Sequence, residues 1–370
     1  MTDANHFLAA IIAEPEDDLP RLVFADWLEE IGDDTRAEFI RLQCLSVRAP
    51  LTPGERVTVE ARIRELLALH RDRWAIPGIT GVQKFRRGFV EYLYIKAVDF
   101  LRFERHIAKN APVVRLRLST AATHLAALAN VPLFSRLRAL EFVNDELAGR
   151  LRIIFRPDLF PELRSLTLQN NRLWAEDLAT LTQLADSWPK LNRLNLSGNP
   201  YSDDGLATLS AAAGLRSLRD LVLRSDGLPF VDCIHATGVA AFTQSTALHQ
   251  LRLLNLAGHH IGDAGFRTLV ESRNAQHLEV LDVSQNDIGQ IGPEWAGALA
   301  ASPYLRRLRE LNLSRNTIDP LAAEVLVKWP QLKSGCTVDL RGCTLSPESR
   351  QLLDESAYRQ QFQLDEGEPA

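Results

Sequence analysis

Side chains able to hold a metal or attack a substrate are sparse in this chain. His259 and His260 are adjacent, Cys233 and His235 are one residue apart, and Cys336 and Cys343 lie within one short stretch. Zinc sites draw on four ligands in paired, closely spaced groups, and none of these pairs has companions at such spacing. Adjacent residues point to opposite sides of extended chain, so His259 and His260 do not converge from a strand; His259 is expected to hydrogen-bond a turn. No metal and no cofactor is expected. Asp26 beside Trp27 has the makings of an acid in an apolar cleft, and equally of a surface carboxylate next to a core tryptophan. The chain carries no glycine-rich phosphate loop, no G-x-S-x-G and no H-E-x-x-H, the arrangements that announce phosphoryl, acyl or metal-assisted chemistry. It reads as a non-enzyme.

What remains is the chemistry of recognition. Arg138, Arg164, Arg219, Arg252 and Arg309 each follow a leucine that opens the same pattern, L-x-x-L-x-L-x-x-N. The clearest copies are Leu163, Leu166, Leu168, Asn171; Leu191, Leu194, Leu196, Asn199; Leu278, Leu281, Val283, Asn286; and Leu308, Leu311, Leu313, Asn316. Within L-x-L the two leucines share one face of a strand, since side chains alternate with period 2. The asparagine turns the chain, and its amide can pair backbone groups that burial would otherwise orphan. Asn171, Asn199, Asn286 and Asn316 are therefore read as a structural ladder. Variants carry Asp145, Asp226, His259 or Cys343 at that place, and the earliest copies (Val90, Leu93, Ile95, Val98; Val113, Leu116, Leu118) are degenerate. One unit cannot bury its own leucines, so copies must stack.

This pattern is the leucine-rich-repeat signature, and the resemblance implies an α/β fold of about nine repeats over residues 81–345. Middle leucines recur every 27 or 28 residues, as from Leu166 to Leu194 and from Leu194 to Leu221. That length leaves room for a return helix and resembles the ribonuclease-inhibitor subtype: a horseshoe with a parallel sheet on its concave face and helices outside. Residues 346–370 read as a terminal capping helix, through Phe362, followed by an acidic tail.

Residues 1–80 follow a helical period instead, forming a small all-α domain that caps the first repeat. Phe7, Leu8, Ile11 and Ile12 fall on one helical face, and Leu19, Leu22, Val23, Trp27 and Ile31 on another. Thr35-Arg36-Ala37-Glu38 and Thr52-Pro53-Gly54-Glu55 are capping-box sequences that open two more helices. The runs Pro20–Glu30, containing Leu-Val-Phe-Ala-Asp-Trp-Leu-Glu-Glu, and Arg36–Gln43, Arg-Ala-Glu-Phe-Ile-Arg-Leu-Gln, resemble the repeat-companion domain found before leucine-rich repeats in bacterial proteins. That resemblance implies architecture and no activity.

Composition narrows the setting. Of 370 residues, 46% are hydrophobic and 24% charged, with a net charge of −5, so no general affinity for nucleic acid is expected. The first residues lack a basic leader, and no stretch of about 20 apolar residues exists to span a membrane. Four cysteines without pairing pattern suit a reducing, cytoplasmic location.

One interval is the longest. From Leu221 to Leu254 is 33 residues, and the surplus falls near 229–234, so that Phe230, Val231 and Ile234 are expected on a projecting loop. Loops on rigid scaffolds are common binding sites. The expected function is a non-catalytic scaffold that binds a protein partner through the concave face and rim, with Phe230, Val231, Ile234 and the arginine column Arg138, Arg164, Arg219, Arg252 and Arg309 as contacts. Guanidinium groups in a column suit an acidic surface, though arginine there also serves as surface fill paired with Asp220 and Glu310. A second reading is a regulator of a partner enzyme, acting like a GTPase activator or an inhibitor.

Overall fold

A computed structural model of the chain describes residues 2–48, 50–225, 227 and 229–365. It divides into two compact units, Met1–Phe142 and Val143–Ala370.

The first unit opens with four helices: α1 (Thr2–Ala13), α2 (Leu19–Glu30), α3 (Asp34–Arg48) and α4 (Pro53–Trp74). The capping box at Thr52 forms as its sequence requires. The Thr52 hydroxyl accepts from the Glu55 amide, the Glu55 carboxylate accepts from the Thr52 amide, and Pro53 fills the first turn. The start of α3 differs from the expectation at Thr35. Gly32 turns the chain at φ +81°, so Asp33 is the next residue placed to cap, and its carboxylate accepts from the Arg36 amide at 3.3 Å.

Strands β1 (Val82–Arg86) and β2 (Phe89–Lys96) follow as an antiparallel hairpin. A helix, Ala97–Asn110, leads to β3 (Arg115–Ser119) and then β4 (Ala139–Val143), so this sheet runs β1-β2-β3-β4 with β2, β3 and β4 parallel. The sequence reading began the repeats at Gly81 and put Val98 at a ladder position. Val98 instead lies on the helix that leaves β2 directly, and is half exposed. The strand β1 carries no leucine signature, which is why the hairpin escaped the pattern.

Residues of the companion-like segment hold this hairpin. Arg21, fully buried, donates to the Arg87 and Pro15 carbonyls and to Glu91 Oε1 at 2.8 Å. Arg36 donates to the Gly88 carbonyl at 2.5 Å, its guanidinium within 6 Å of the Trp74, Phe89, Phe39 and Phe85 rings. Gln43 Oε1 accepts from the Gly88 amide at 2.8 Å. Gly88 sits at φ +87°, and a Cβ there would meet Ile40 at 2.5 Å, so only glycine lets the turn approach α3. Arg41 pairs with Asp26 and Glu29, and Arg62 with Glu38. Asp26 is thus a surface ion-pair partner, not an acid in a cleft.

The second unit stacks parallel strands: β5 (Ser165–Gln169), β6 (Arg193–Asn195), β7 (Asp220–Val222), β8 (Leu253–Asn255), β9 (Val280–Asp282) and β10 (Glu310–Asn312). A short pair, β11 (Thr317–Ile318) and β13 (Thr344–Leu345), flanks β12 (Thr337–Asp339), and β14 (Phe362–Gln363) ends the series. The register joins Leu166, Leu194, Leu221, Leu254, Leu281, Leu311 and Val338. All are buried beneath a layer of return helices, among them Ser202–Ser210, Ala236–Thr243 and Gly262–Val270, that pack side by side. The terminal segment departs from a single helix to Phe362. The helix stops at Asp354, and Phe362, 2% exposed, enters a strand opposite Val338 in the leucine's place. Of the acidic tail, 366–370 lie outside the described residues, as does Asp226.

Candidate protein-interaction surfaces

The rim of the second unit is built on the ladder residues. Asn199 Oδ1 accepts from the amides of Asn171 and Leu173, and its Nδ2 donates to the carbonyls of Leu168 and Leu196. Asn316 repeats this toward Asn286, Ile288, Val283 and Leu313. Asn286 donates to Leu256, and Asn171 Oδ1 accepts from the Asp145 amide. Each joins its own turn to the repeat before it. His259 makes the equivalent bonds with its ring nitrogens. Its Nδ1 accepts from the Ile234 amide at 3.1 Å, which leaves the proton on Nε2 to donate to the Leu223 carbonyl at 2.6 Å. Burial, the larger cause, and the nearby imidazoles of His260 and His235 push its pKa down to about 4.

That histidine organises the inserted segment. Phe230–Asp232 is a single 3₁₀ turn closed by the Asp232 amide on the Pro229 carbonyl. Cys233 and Ile234 then enter the core, 1% and 0% exposed. Ile234 is therefore not a surface contact: its amide is held by His259 and its carbonyl accepts from the His260 amide. Phe230 and Val231 stay outside, 60% and 75% exposed. The Phe230 ring rests on two imidazoles, 4.4 Å from His235 and 4.7 Å from His260. Each has a carboxylate beside it, Asp203 for His235 and Asp287 for His260. The tip thus stands on a fixed polar shelf.

The arginines behave unequally. In the first unit, Arg138 is paired with Glu16. In the second, Arg164, Arg219, Arg252 and Arg309 sit just before their strands, aligned by backbone bonds from each repeat to the next. The same bonds bring Asn192 between Arg164 and Arg219, and Glu279 between Arg252 and Arg309. The column is therefore interrupted. Glu279 approaches Arg252 at 3.9 Å, Arg219 donates to the Leu218 carbonyl, and Asp220 is paired by Arg193. Along the middle of this sheet, Asn195, Asn255, Asp282, Asn312 and Asp339 each accept from the amide two residues on. These small polar residues close Asx turns at the strand ends.

A further surface, on the first unit, was absent from the sequence reading. Tyr92 and Tyr94 on β2 are in register with Arg115 and Arg117 on β3, while Lys84 on β1 faces Tyr92. The signal was present as Tyr-x-Tyr and Arg-x-Arg, period-2 doublets in successive degenerate repeats.

Among the described residues, none of these surfaces arranges a nucleophile with a base. Burial pushes the thiols of Cys44 and Cys336 up to about 12 and that of Cys343 to about 11, far from the thiolate that reactivity needs. Among the described residues no group of three or more His, Cys, Asp or Glu could hold a metal, and no helix is long and apolar enough to cross a membrane.

The leucine-rich-repeat family profile matches residues 248–270, 274–292 and 304–327. No curated protein matches in sequence. Among solved structures, an internalin from Listeria monocytogenes is similar at 16% identity and a TM-score of 0.44, over 74% of this chain and 71% of that one. A protein from Bacteroides fragilis is similar at 15% identity and the same TM-score, over 83% of each chain.

Proposed function

We propose that the chain is a non-catalytic scaffold that binds a protein partner through its rim and sheet face. The observation that carries this reading is the Phe230–Val231 pair. Two apolar side chains are held in water on an ordered turn, while Cys233 and Ile234 of the same insert are buried. Leaving a phenylalanine and a valine exposed forgoes roughly 1.5–3 kcal/mol of burial each. Rigid display of such a pair reduces the ordering cost of association. Residues 1–80 act in this reading as a repeat-companion cap, with free cysteines suiting a reducing, bacterial cytoplasm.

Whole-loop deletion is a poor test, because 229–234 includes the buried Cys233 and Ile234. A photo-crosslinking residue at position 231, compared with one at the exposed Leu321 on the outer helix Pro320–Val327, separates the cases. A discrete crosslinked protein from position 231 alone, lost when Phe230→Ser is added with folding intact, is expected. The same products from both positions overturn the reading.

A further inference from the structure

The outward face of β1, β2 and β3 concentrates positive charge that the protein leaves unanswered. Lys84, Tyr92 and Arg115 stand in one row across the three strands, and Val82, Tyr94 and Arg117 in the next. Residues two apart on a strand share a face, so these six side chains form one grid. The Lys84 ammonium lies 4.8 Å from the Tyr92 ring, and the Arg117 guanidinium 4.7 Å from the Tyr94 ring. Lys84 and Arg115 are exposed and the tyrosines half-buried. By contrast, Arg41 is matched by Asp26 and Glu29, Arg62 by Glu38 and Glu65, and Arg73 by Asp33. Among the described residues, Lys84, Arg115 and Arg117 enter no ion pair. The nearest acid in register is Glu141, beside Arg117 on β4.

We propose that this grid binds an acidic, extended segment of a protein partner, with carboxylates at alternate residues taken by Arg115 and Arg117 and its backbone lying over Tyr92 and Tyr94. The inference rests on the reading of the chain as a protein-binding scaffold and names the chemistry of the partner. Its basis is charge complementarity together with spacing. Residues i and i+2 of a strand are about 6.8 Å apart, so Arg115 and Arg117 repeat at the same interval as alternate side chains of an extended peptide. Arg117 is pre-positioned by stacking on Tyr94, which lowers the entropy lost on binding. Burial, with Glu141 adding to it, raises the Tyr92 phenol above its ordinary value, and a side-chain hydrogen bond ties it to Arg117. Tyrosine and arginine are also the residues in which binding energy concentrates at protein interfaces. Single-stranded nucleic acid fits less well. A groove that tracks a phosphate backbone is lined by continuous positive charge, whereas this grid holds three cations in a protein of net charge −5.

The test uses the full chain and three fluorescein-labelled probes followed by anisotropy: a peptide alternating Glu and Ser, a peptide of equal charge with its glutamates in one block, and oligouridine. The alternating peptide is expected to bind tightest, and more weakly as salt rises. The double substitution Arg115→Gln and Arg117→Gln is expected to weaken it about tenfold or more, the loss of roughly 1.4 kcal/mol. Arg309→Gln, in the column of the other unit, is expected to leave it unchanged. In the unsubstituted protein, the bound peptide should shield Arg115 and Arg117 from phenylglyoxal, read by mass spectrometry, a result independent of how variants fold. Tighter binding of oligouridine, equal loss in Arg309→Gln, or no shielding overturns the proposal. The crosslink from position 231 is unaffected by any of these, so failure here is distinguishable from failure of the scaffold reading.

Discussion

Protonating His259 should loosen this protein in a pH range where carboxylates are still ionised, and replacing that histidine with the asparagine of its neighbouring repeats should remove the effect. His259 is 1% exposed, and its neutral form is the only one that lets Nδ1 accept from Ile234 while Nε2 donates to Leu223. Its folded pKa is about 4 against an ordinary value of 6.5. The unfolded chain therefore binds more protons between those values, and stability falls as pH falls. The contribution is complete above about pH 7, declines from 6.5 downward and is exhausted below 4. One pKa unit corresponds to about 1.4 kcal/mol, so the whole loss is about 3 kcal/mol, with about 2 kcal/mol gone by pH 5. In His259→Asn the amide can donate to the Leu223 carbonyl as Asn316 does to Val283, and it does not titrate. Urea unfolding midpoints for both proteins, taken from pH 7.5 to 4.5, should converge as pH falls, because all other titrating groups are common to both. Hydrogen exchange at the Ile234 amide should accelerate over the same range in the unsubstituted protein only. Parallel pH curves, with Ile234 equally protected throughout, would refute the assignment of His259 as a neutral ladder residue.

Two other perturbations follow from the same bonds. Asn199→Ala strips partners from the amides of Asn171 and Leu173 and the carbonyls of Leu168 and Leu196; a loss of about 2–4 kcal/mol is expected, since each buried orphan costs roughly 1–3 kcal/mol before water relieves it, and unchanged exchange at Asn171 and Leu173 would contradict it. Removing residues 1–80 uncovers Phe85 and Phe89 and leaves Glu91 without Arg21, so the truncated chain is expected to aggregate or melt early, whereas a soluble product with an unchanged melting profile would show that the helices are dispensable.

The repeating part of the fold was legible because its physics is periodic. Leucines at fixed offsets have to share a face, and asparagine at the turn has to find the backbone groups of the preceding repeat. The hairpin was not legible, because β1 (Val-Gln-Lys-Phe-Arg) carries none of those offsets and is held from outside the pattern. Its turn is clasped by Arg36 and Gln43, which lie 40 or more residues earlier in sequence. Val98 matched the template by type, yet the helix starts at Ala97 with no intervening turn. A hydrophobic residue at the right offset was insufficient evidence where the ladder amide was missing.

The binding surfaces show why counting places an insert but does not orient it. Spacing puts the surplus residues near 229–234 and treats Phe230, Val231 and Ile234 alike as apolar side chains in water. The split follows from the ladder, in which His259 takes the Ile234 amide as Asn199 takes that of Leu173 and Asn316 that of Ile288. That bond draws Ile234 inward, and Cys233 with it, so the 3₁₀ turn at Phe230–Asp232 is the part of the insert left to project. An asparagine makes the equivalent bond and also takes the amide of the ladder residue one repeat back, as Asn199 does with Leu173 and Asn171. The six surplus residues are therefore spent before Ile234, which keeps its buried place in the repeat. The same logic applies to the arginines: recurrence at one offset suggested a continuous column, but stacking brings in every repeat, including those with Asn192 and Glu279 at that offset. Lys84 on the hairpin stands with Arg115 and Arg117 from an irregular repeat, and among the described residues none of the three enters an ion pair.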